Sequence, residues 1–243
     1  MSAEWTDAQK RYYDAFAQEY EKSFQQGNPY FEFVTEHWLE AIRPRAGERV
    51  LEFGASGGRF TMPLLEAGCR VTGVDLSPEC LHYFERRMAA HPRKEHLTLR
   101  EGDVTFLTQV EESGFDVVIG AHILHHVEDF GEALAQGCAR LRSGGRSVFL
   151  EPNPWNLQWY AQNTFGRRRN WGIERGLLRV WPERVRRAFL TAGFRTCEVK
   201  TFGCFPPFVH NHFPACRRIE SFLERHRSLA WWLTLNLYVA YKA

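Results

Sequence analysis

Short apolar runs alternate along the chain with longer stretches that have helical spacing. Five such runs, dense in Val, Leu, Ile and Phe, are typical of buried strands and lie at 49–53, 70–74, 97–100, 115–120 and 146–150. Two more runs follow, at 194–201 and 235–242. Between the runs, apolar residues recur three or four positions apart, which predicts helices. This alternation predicts an α/β fold with a mainly parallel sheet.

The segments outside this alternation have a different pattern. Residues 5–26 and the stretch ending at Ile42 are predicted to be helices, and so are 182–192 and 214–231. Residues 152–180 hold aromatic side chains among polar and basic ones, without a long alternation. This insertion leaves the sheet at the edge where α/β proteins bind ligands. We interpret it as a substrate cap, with a packed surface excursion as the alternative.

A glycine-rich turn joins the first strand to the next helix. The sequence runs Val-Leu-Glu-Phe-Gly from Val50 to Gly54 and continues Ala-Ser-Gly-Gly to Gly58. Glycine suits such a turn because it adopts positive φ and lets a ligand approach the backbone. The second strand ends on Asp75, about 20 residues further on, where doubly wound folds place a ribose-binding acid. The turn alone is also compatible with simple packing.

Four motifs in this order resemble those of class I S-adenosylmethionine-dependent methyltransferases. They are Glu52–Gly58, Gly73–Ser77, Gly102–Asp103 and Phe115–Gly120, and the spacing continues through Leu-Arg-Ser-Gly-Gly to the chain end. The resemblance covers roughly residues 45–243. Ser56 is a mild departure, because the family usually has glycine there.

The resemblance implies a doubly wound, mostly parallel seven-stranded sheet whose last strand is antiparallel, with N-terminal helices and a helical cap insertion. It further implies a single domain, divided into a helical lid (1–44), a cofactor-binding core (45–151), the cap (152–180) and the C-terminal part of the sheet (181–243).

The cofactor implied is S-adenosyl-L-methionine, with S-adenosyl-L-homocysteine as product. Glycines 54 and 58 would approach its methionine part, Asp75 its ribose and Asp103 its adenine amino group. Each of these acids could instead be a cap or turn acid. The expected cofactor-binding residues come from the lid, the turn and the strand ends: Tyr13, Tyr20, Glu52, Gly54, Ala55, Ser56, Gly58, Asp75, Leu76, Asp103, Val104 and Ala121.

Three histidines follow the fourth strand, at positions 122, 125 and 126. In a helix they would share one face, a spacing that can bind metal. Metal-binding relatives have a Glu-x-x-Glu-His motif here, and both glutamates are replaced by histidine in this chain, so we expect no metal. His122 or His126 is then a candidate general base, since neutral imidazole accepts protons near pH 7. Glu151, at the end of the fifth strand, is a third catalytic candidate or a loop-anchoring acid.

Composition narrows the remaining choices only slightly. A formal net charge of +2 gives no argument for nucleic acid, although basic residues cluster in the C-terminal half, as at 167–169, where they could hold an anionic group. The six cysteines form no CxxC pair, which favours free thiols in a cytoplasmic protein. No apolar run is long enough to span a membrane.

The sequence therefore predicts an enzyme, a methyltransferase that acts on an O or N atom of a small molecule such as a natural-product, lipid-linked or saccharide-linked acceptor. Two alternatives stay open: a methyltransferase for RNA or protein, and a cofactor-binding protein without catalysis. The sequence gives no indication of oligomeric state.

Overall fold

A twisted sheet of seven strands organises the protein, with helices on both of its faces. The structure, a computed structural model, describes residues 3–17, 28–165, 171–213 and 215–243. The strands, in chain order, are β1 (Arg49–Phe53), β2 (Arg70–Asp75), β3 (Leu97–Glu101), β4 (Phe115–Ala121), β5 (Leu141–Pro152), β6 (Phe194–Phe202) and β7 (Leu235–Lys242).

The helices of the described chain fill the connections and the N-terminus. They are α1 (Ala3–Ala17), α2 (Pro29–Ile42), α3 (Thr61–Glu66), α4 (Pro78–Met88), α5 (Phe130–Arg140), α6 (Leu157–Phe165), α7 (Trp171–Glu174), α8 (Pro182–Thr191), α9 (Pro207–His212) and α10 (Cys216–Glu224). Short 3-10 helices cover Lys94–His96, Arg175–Arg179 and Arg227–Trp232. No helix among the described residues is long and apolar enough to cross a membrane.

The strand order is β3-β2-β1-β4-β5-β7-β6, so the chain winds outward in both directions from β1 and β4. Strands β1 to β5 pair in parallel, and β7 is antiparallel to both β5 and β6. This arrangement confirms the predicted seven-stranded sheet with an antiparallel last strand. The reversal of strand order beside β1 makes a crevice at the carboxyl ends of the strands, where such folds bind ligands.

The two faces of the sheet are buried in separate cores, because successive side chains of a strand point to opposite faces. Leu51 and Phe53 pack with α5 and α8 on one face, whereas Val50 packs with α2, α3 and α4 on the other. The fully buried Trp38 of α2 belongs to the second core. Both faces of β1 are therefore buried, and this fixes the position of the turn that follows it.

Two predicted boundaries are wrong. Strand β5 begins at Leu141 and not at 146, because Leu141 already pairs with Phe115 before a bulge precedes the pairing of Arg146 with Val117. The helix predicted over 214–231 is α10 followed by the 3-10 helix Arg227–Trp232. Its first part ends where Glu224 accepts a hydrogen bond from the Gly203 amide (3.1 Å) and contacts His37 (3.4 Å). Tertiary contacts thus override the helical periodicity.

Candidate active site

The turn after β1 is built from positive-φ residues. Gly54, Ser56 and Gly58 have φ of 74°, 50° and 81°. Only Ser56 has a side chain there, so it carries backbone strain that glycine would not. A Cβ on Gly58 would lie 2.1 Å from the Phe84 ring of α4, so the turn is pressed against that helix. Gly58 is therefore required for packing behind the turn.

Asp75, the last residue of β2, ties this turn to the next helix. One carboxylate oxygen accepts a hydrogen bond from the Ser56 amide (2.8 Å) and the other from the Ser77 amide (2.9 Å). Burial raises the pKa of Asp75 to about 6, partly opposed by these hydrogen bonds. The hydroxyl of Ser77 accepts from the Cys80 amide (3.1 Å) and thereby caps α4. Each Asp75 oxygen keeps a lone pair for a ligand.

A cavity of about 390 Å³ lies at the carboxyl ends of β1, β2 and β4. Most of the residues predicted to form the site line it, and they come from α1, the glycine turn and the strand ends: Tyr13, Glu52, Gly54, Ala55, Ser56, Asp75, Leu76, Asp103, Val104, Ala121, His122 and His126. Thus the structure brings together residues that are more than a hundred positions apart in sequence.

Two of the predicted residues do not line it, and a third lies outside the described residues. Gly58 lies behind the turn, Glu151 is fully buried elsewhere, and Tyr20 lies outside the described residues. The arginines 167–169, expected to hold an anionic group, also lie outside them. The described residues of the 152–180 insertion do not line the cavity; they support it from behind, where the Ile173 carbonyl accepts from Gln9 (3.1 Å).

Sequence reasoning missed several residues that line the cavity, chiefly Gln9, Phe31 and Arg59. The guanidinium of Arg59 lies 3.5 Å from the centroid of the Phe31 ring, a cation–π contact. Arg59 is the one Arg or Lys lining the cavity among the residues that the structure describes. Its position directly after Gly58 was the available signal, because the first residue after such a turn faces the ligand side.

Helix α1 closes the cavity from above. Lys10 donates to the Leu76 carbonyl (3.1 Å) and to Glu101 (2.6 Å), beyond the ends of β2 and β3. Asp14 accepts from the Ser77 hydroxyl (2.6 Å). The Trp5 indole donates to the His126 carbonyl (2.9 Å). These contacts fix the helix over three separate strand ends.

Tyr13 and His126 form a hydrogen-bonded pair on the cavity wall. The Tyr13 hydroxyl lies 2.8 Å from His126 Nε2. Burial, with a smaller effect of the positive charge on His125, holds the pKa of His126 well below its usual 6.5. The imidazole is therefore neutral at pH 7, and its Nε2 can accept the Tyr13 proton.

His122 lines the cavity in a strained conformation. Its φ is 54°, and its amide donates to the Leu150 carbonyl (2.7 Å). Burial lowers the pKa of His122 to about 4, despite the opposing charge of Glu151. This side chain is also neutral at pH 7, and strained residues of this kind cluster at functional sites.

Residues 122–126 form a turn, and the predicted shared helical face is wrong. The reason is Glu151, which is fully buried and whose Oε1 accepts from the amides of Ile123 (2.9 Å) and Leu124 (2.7 Å). Its Oε2 lies 2.5 Å from Nδ1 of His125. His125 is thereby turned away from the cavity while His122 and His126 line it. This geometry favours the loop-anchoring interpretation of Glu151.

His125 is held between two carboxylates. Its Nε2 lies 3.5 Å from Glu174, opposite the Glu151 contact. Burial lowers the pKa of His125, but the charge and hydrogen bond of Glu151, and then Glu174, outweigh it and raise the pKa to about 9. A protonated His125 balances this buried charge. Donor atoms of His125, His126 and Glu174 lie within 4.8 Å of one another. The two imidazoles already use three of their four nitrogens on protein groups.

Glu52, at the floor of the cavity, is a buried acid with one strong donor. The Thr61 hydroxyl donates to it at 2.5 Å. Burial, with a further contribution from the charge of Asp75, raises the pKa of Glu52 to about 8. Its carboxyl is therefore protonated at neutral pH, and a cationic ligand group beside it would favour the ionised form.

A second buried polar cluster lies apart from the cavity. His210 and Glu220 are both buried, with His210 Nε2 2.7 Å from Glu220 Oε2. Glu220 Oε1 accepts from the amides of Cys204 (2.7 Å) and Phe205 (3.0 Å). His212, the second histidine of this segment, is exposed. The cluster anchors the segment between β6 and β7 and does not belong to the cavity.

Comparison with known proteins agrees with this geometry. Residues 51–149 match the family described as "Methyltransferase domain". The matched stretch, from β1 to β5, therefore resembles a methyltransferase domain. The chain is 32% identical over 113 residues to a ubiquinone biosynthesis O-methyltransferase of Paracidovorax citrulli, and the match covers 46% of the chain and 47% of that relative. It is 31% identical to a demethylmenaquinone methyltransferase of Tropheryma whipplei, over 47% of the chain and 48% of the relative.

The chain therefore spans about half the length of the curated relatives it matches. Among solved structures, it resembles phosphoethanolamine N-methyltransferase 2 of Haemonchus contortus in complex with S-adenosyl-L-methionine. The TM-score is 0.66 at 19% identity, covering 94% of this chain and 57% of the other. At that identity the likeness establishes the shared fold.

The residues that line the cavity fit S-adenosylmethionine, the cofactor implied by the sequence motifs. Asp75 has acceptor capacity for ribose hydroxyls, and Asp103 uses one oxygen on the Thr105 amide (2.7 Å), which leaves the other. The Gln9 side chain is buried, and its Oε1 has no hydrogen-bond partner in the described structure, so it needs a donor from a ligand. Glu52 and Arg59 provide complementary groups for an ammonium and a carboxylate. The residues present therefore fit the cofactor.

Proposed function

We propose that this protein transfers a methyl group from S-adenosylmethionine to an O or N atom of a small-molecule acceptor. One observation carries the proposal. The Tyr13–His126 pair, with its 2.8 Å hydrogen bond, lines the same cavity as the glycine turn and Asp75. A proton acceptor thus shares one enclosed space with a cofactor-binding constellation.

Methyl transfer requires an aligned acceptor that loses a proton. When bound, S-adenosylmethionine supplies an electrophilic methyl group on a sulfonium. As the acceptor's O or N forms its new bond, the O–H or N–H proton passes to the Tyr13 oxygen, and the Tyr13 proton passes to His126 Nε2. The low pKa of His126 keeps Nε2 free of a proton before this step. His122, also neutral, lines the cavity nearby and is the second candidate base.

The size of the cavity, about 390 Å³, supports a small acceptor. Helix α1 covers it, whereas an RNA or protein substrate would need an open basic surface beside the cofactor. The relatives named for ubiquinone and demethylmenaquinone methylation also favour a small acceptor. A role limited to cofactor binding is the second alternative, and the proton-accepting pair argues against it.

Arg59 gives the cavity its fixed positive charge. With Phe31 over its guanidinium, it would hold a carboxylate, either that of the cofactor's methionine part or one on the acceptor. Glu52 would face the cofactor's ammonium. These assignments distribute opposite charges over two sides of the cavity, which orients a zwitterionic ligand.

The first test is calorimetric binding of S-adenosylhomocysteine. Asp75→Asn should weaken binding about ten-fold or more, on the order of 1.4 kcal/mol, because a ribose acceptor is lost. Asp7→Asn, which changes an exposed acid on α1, is the matched control and should bind as the wild type does. A folded wild type that fails to bind would refute the proposed cofactor site.

The second test separates catalysis from binding. Tyr13→Phe and His126→Gln should each lower kcat by roughly 100-fold in a labelled-cofactor assay, the scale of general acid–base catalysis. Tyr12→Phe, on the same helix, is the matched control. Variants that bind S-adenosylhomocysteine normally and turn over at the wild-type rate would exclude the pair as the proton acceptor. Acceptor screening on a binding-competent wild type distinguishes an enzyme from a protein that only binds the cofactor.

A further inference from the structure

Exposed apolar side chains are concentrated in the segment between β6 and β7. Six large ones are between 51% and 64% exposed, which makes this the most apolar exposed part of the described chain outside the cap: Phe208, Phe213, Ile219, Phe222, Trp231 and Trp232. We call this surface the 208–232 face. The elements that carry or flank these side chains, α9, α10 and the 3-10 helix Arg227–Trp232, pack on one another. Exposed apolar side chains grouped in this way are typical of an interaction site.

The charged side chains that this segment exposes are basic. Residues 205–232 contain four arginines and two glutamates, with no lysine or aspartate. Both glutamates are turned inward: Glu220 faces His210 (2.7 Å), and Glu224 accepts from the Gly203 amide (3.1 Å). Arg218 and Arg225 are exposed on α10, beside Ile219 and Phe222. The 208–232 face thus presents aromatic and basic groups with no outward-facing acid among its described residues.

The 208–232 face is rigidly supported from below. Asn153 donates to the carbonyls of Ala230 (2.9 Å) and Leu233 (2.7 Å). Asn156 donates to the Trp232 carbonyl. These two buried amides fix the backbone on which Trp231 and Trp232 stand. The tryptophans are therefore held at the surface by the fold, with their rings outward.

This surface lies at the same sheet edge as the cavity. Phe202, the last residue of β6, pairs with Leu235, the first of β7, and Leu235 also pairs with Pro152 at the end of β5. The connection that carries the face therefore leaves the sheet at the carboxyl ends of the parallel strands. It also contacts the first turn of α2, where Asn211 accepts from the Tyr30 amide (3.3 Å), next to the cavity residue Phe31.

We propose that the 208–232 face binds the surface of an anionic phospholipid bilayer. Tryptophan and phenylalanine insert at the headgroup level, while arginines beside them attract anionic lipids. A second copy of the chain is the competing occupant. In a two-fold dimer the same patch would meet itself, bringing arginines together without an acid to pair with them. The charge of the face therefore favours a lipid surface, and the proposal does not depend on methyl transfer.

Vesicle sedimentation with the full chain tests this. The wild type should sediment with vesicles of phosphatidylcholine and phosphatidylglycerol in equal parts and stay in solution with phosphatidylcholine alone. Arg218→Gln/Arg225→Gln should weaken binding about 25-fold, at roughly fivefold per arginine on a strongly anionic membrane. Trp231→Ser/Trp232→Ser should weaken it by a similar factor, because each ring buries apolar area in the headgroup region.

The matched control is Leu190→Ser/Arg195→Gln. It removes an exposed apolar and an exposed basic side chain at the opposite edge, where β6 begins, and should sediment like the wild type. Circular dichroism melting checks that every variant is folded. A folded wild type that ignores anionic vesicles would overturn the proposal. So would a wild-type dimer in light scattering that the tryptophan variant converts to monomer, because a second copy would then cover the face.

Discussion

The buried pair of Glu151 and His125 makes a quantitative prediction. Glu151→Gln keeps the shape of the side chain and leaves an oxygen that can accept from the Ile123 and Leu124 amides. It removes the charge that, against the effect of burial, raises the pKa of His125 to about 9. We expect His125 in the variant to be neutral at pH 7 and the loop that carries His122 and His126 to be less firmly held.

The size of the effect follows from linkage. A group whose pKa is raised on folding stabilises the fold fully below its unfolded pKa and loses that contribution as pH rises through the folded pKa. For His125 these limits are 6.5 and about 9. At about 1.4 kcal/mol per pKa unit, the contribution is about 2–3 kcal/mol at pH 7 and close to zero above pH 9.5. The window of loss is therefore pH 7 to 9.5.

Urea unfolding at a series of pH values measures it. The wild type should exceed Glu151→Gln in free energy of unfolding by about 2–3 kcal/mol at pH 7, and this difference should shrink to well under 1 kcal/mol near pH 9.5. Glu183→Gln, an exposed acid paired with Arg186, is the matched control and should show a difference near zero at every pH. A wild-type advantage over Glu151→Gln that does not change with pH would show that His125 is not protonated, and the linkage argument would be refuted.

Three further predictions concern the glycine turn and His122. Ser56→Gly should raise the free energy of unfolding by up to about 1 kcal/mol in urea titration. Glycine adopts the positive φ without strain, and this gain outweighs the entropy that glycine adds to the unfolded chain. Gly58→Ala should lower it by more than about 2 kcal/mol, since its Cβ would overlap the Phe84 ring, and melting curves would show the loss. His122 has a pKa lowered to about 4, so its contribution is present above pH 6.5 and is lost as pH drops toward 4. Acidification from pH 7.5 to 5 should lower the wild type's free energy of unfolding by about 2 kcal/mol more than that of His122→Asn, which tolerates the same φ.

The fold was predictable because each strand is both locally apolar and completed by a recognisable turn. Val50 to Gly54 shows this best: the strand must be buried on both faces, and the glycine that ends it has positive φ. The position of Asp75 was equally predictable, because its place at the end of β2 fixes the direction of its side chain. Patterns of this kind depend on backbone geometry, which the sequence encodes locally.

The geometry of the turn at residues 122–126 was less predictable, because residues far away in the sequence determine it. The histidines have helical spacing, but Glu151, 25 or more positions away, binds the Ile123 and Leu124 amides and the His125 ring and so holds residues 122–126 in a turn. Glu174 reaches His125 from an insertion that has no local signal for it. The end of α10 is similar, since Glu224 is held by Gly203 across the fold. Where long-range hydrogen bonds compete with local periodicity, sequence spacing alone gives the wrong geometry.

Helix α1 is expected to control how fast a bound ligand leaves the cavity. It is fastened to the ends of β2 and β3 through Lys10, to the start of α4 through Asp14 and to the histidine turn through Trp5. A ligand beneath it can exchange with solvent only after these separate hydrogen bonds have broken. We therefore expect a stopped-flow chase of bound S-adenosylhomocysteine to be slow and to quicken when Lys10 is shortened. The residence time of the ligand would then depend on the hydrogen bonds that hold α1 in place, which lie away from the reacting atoms.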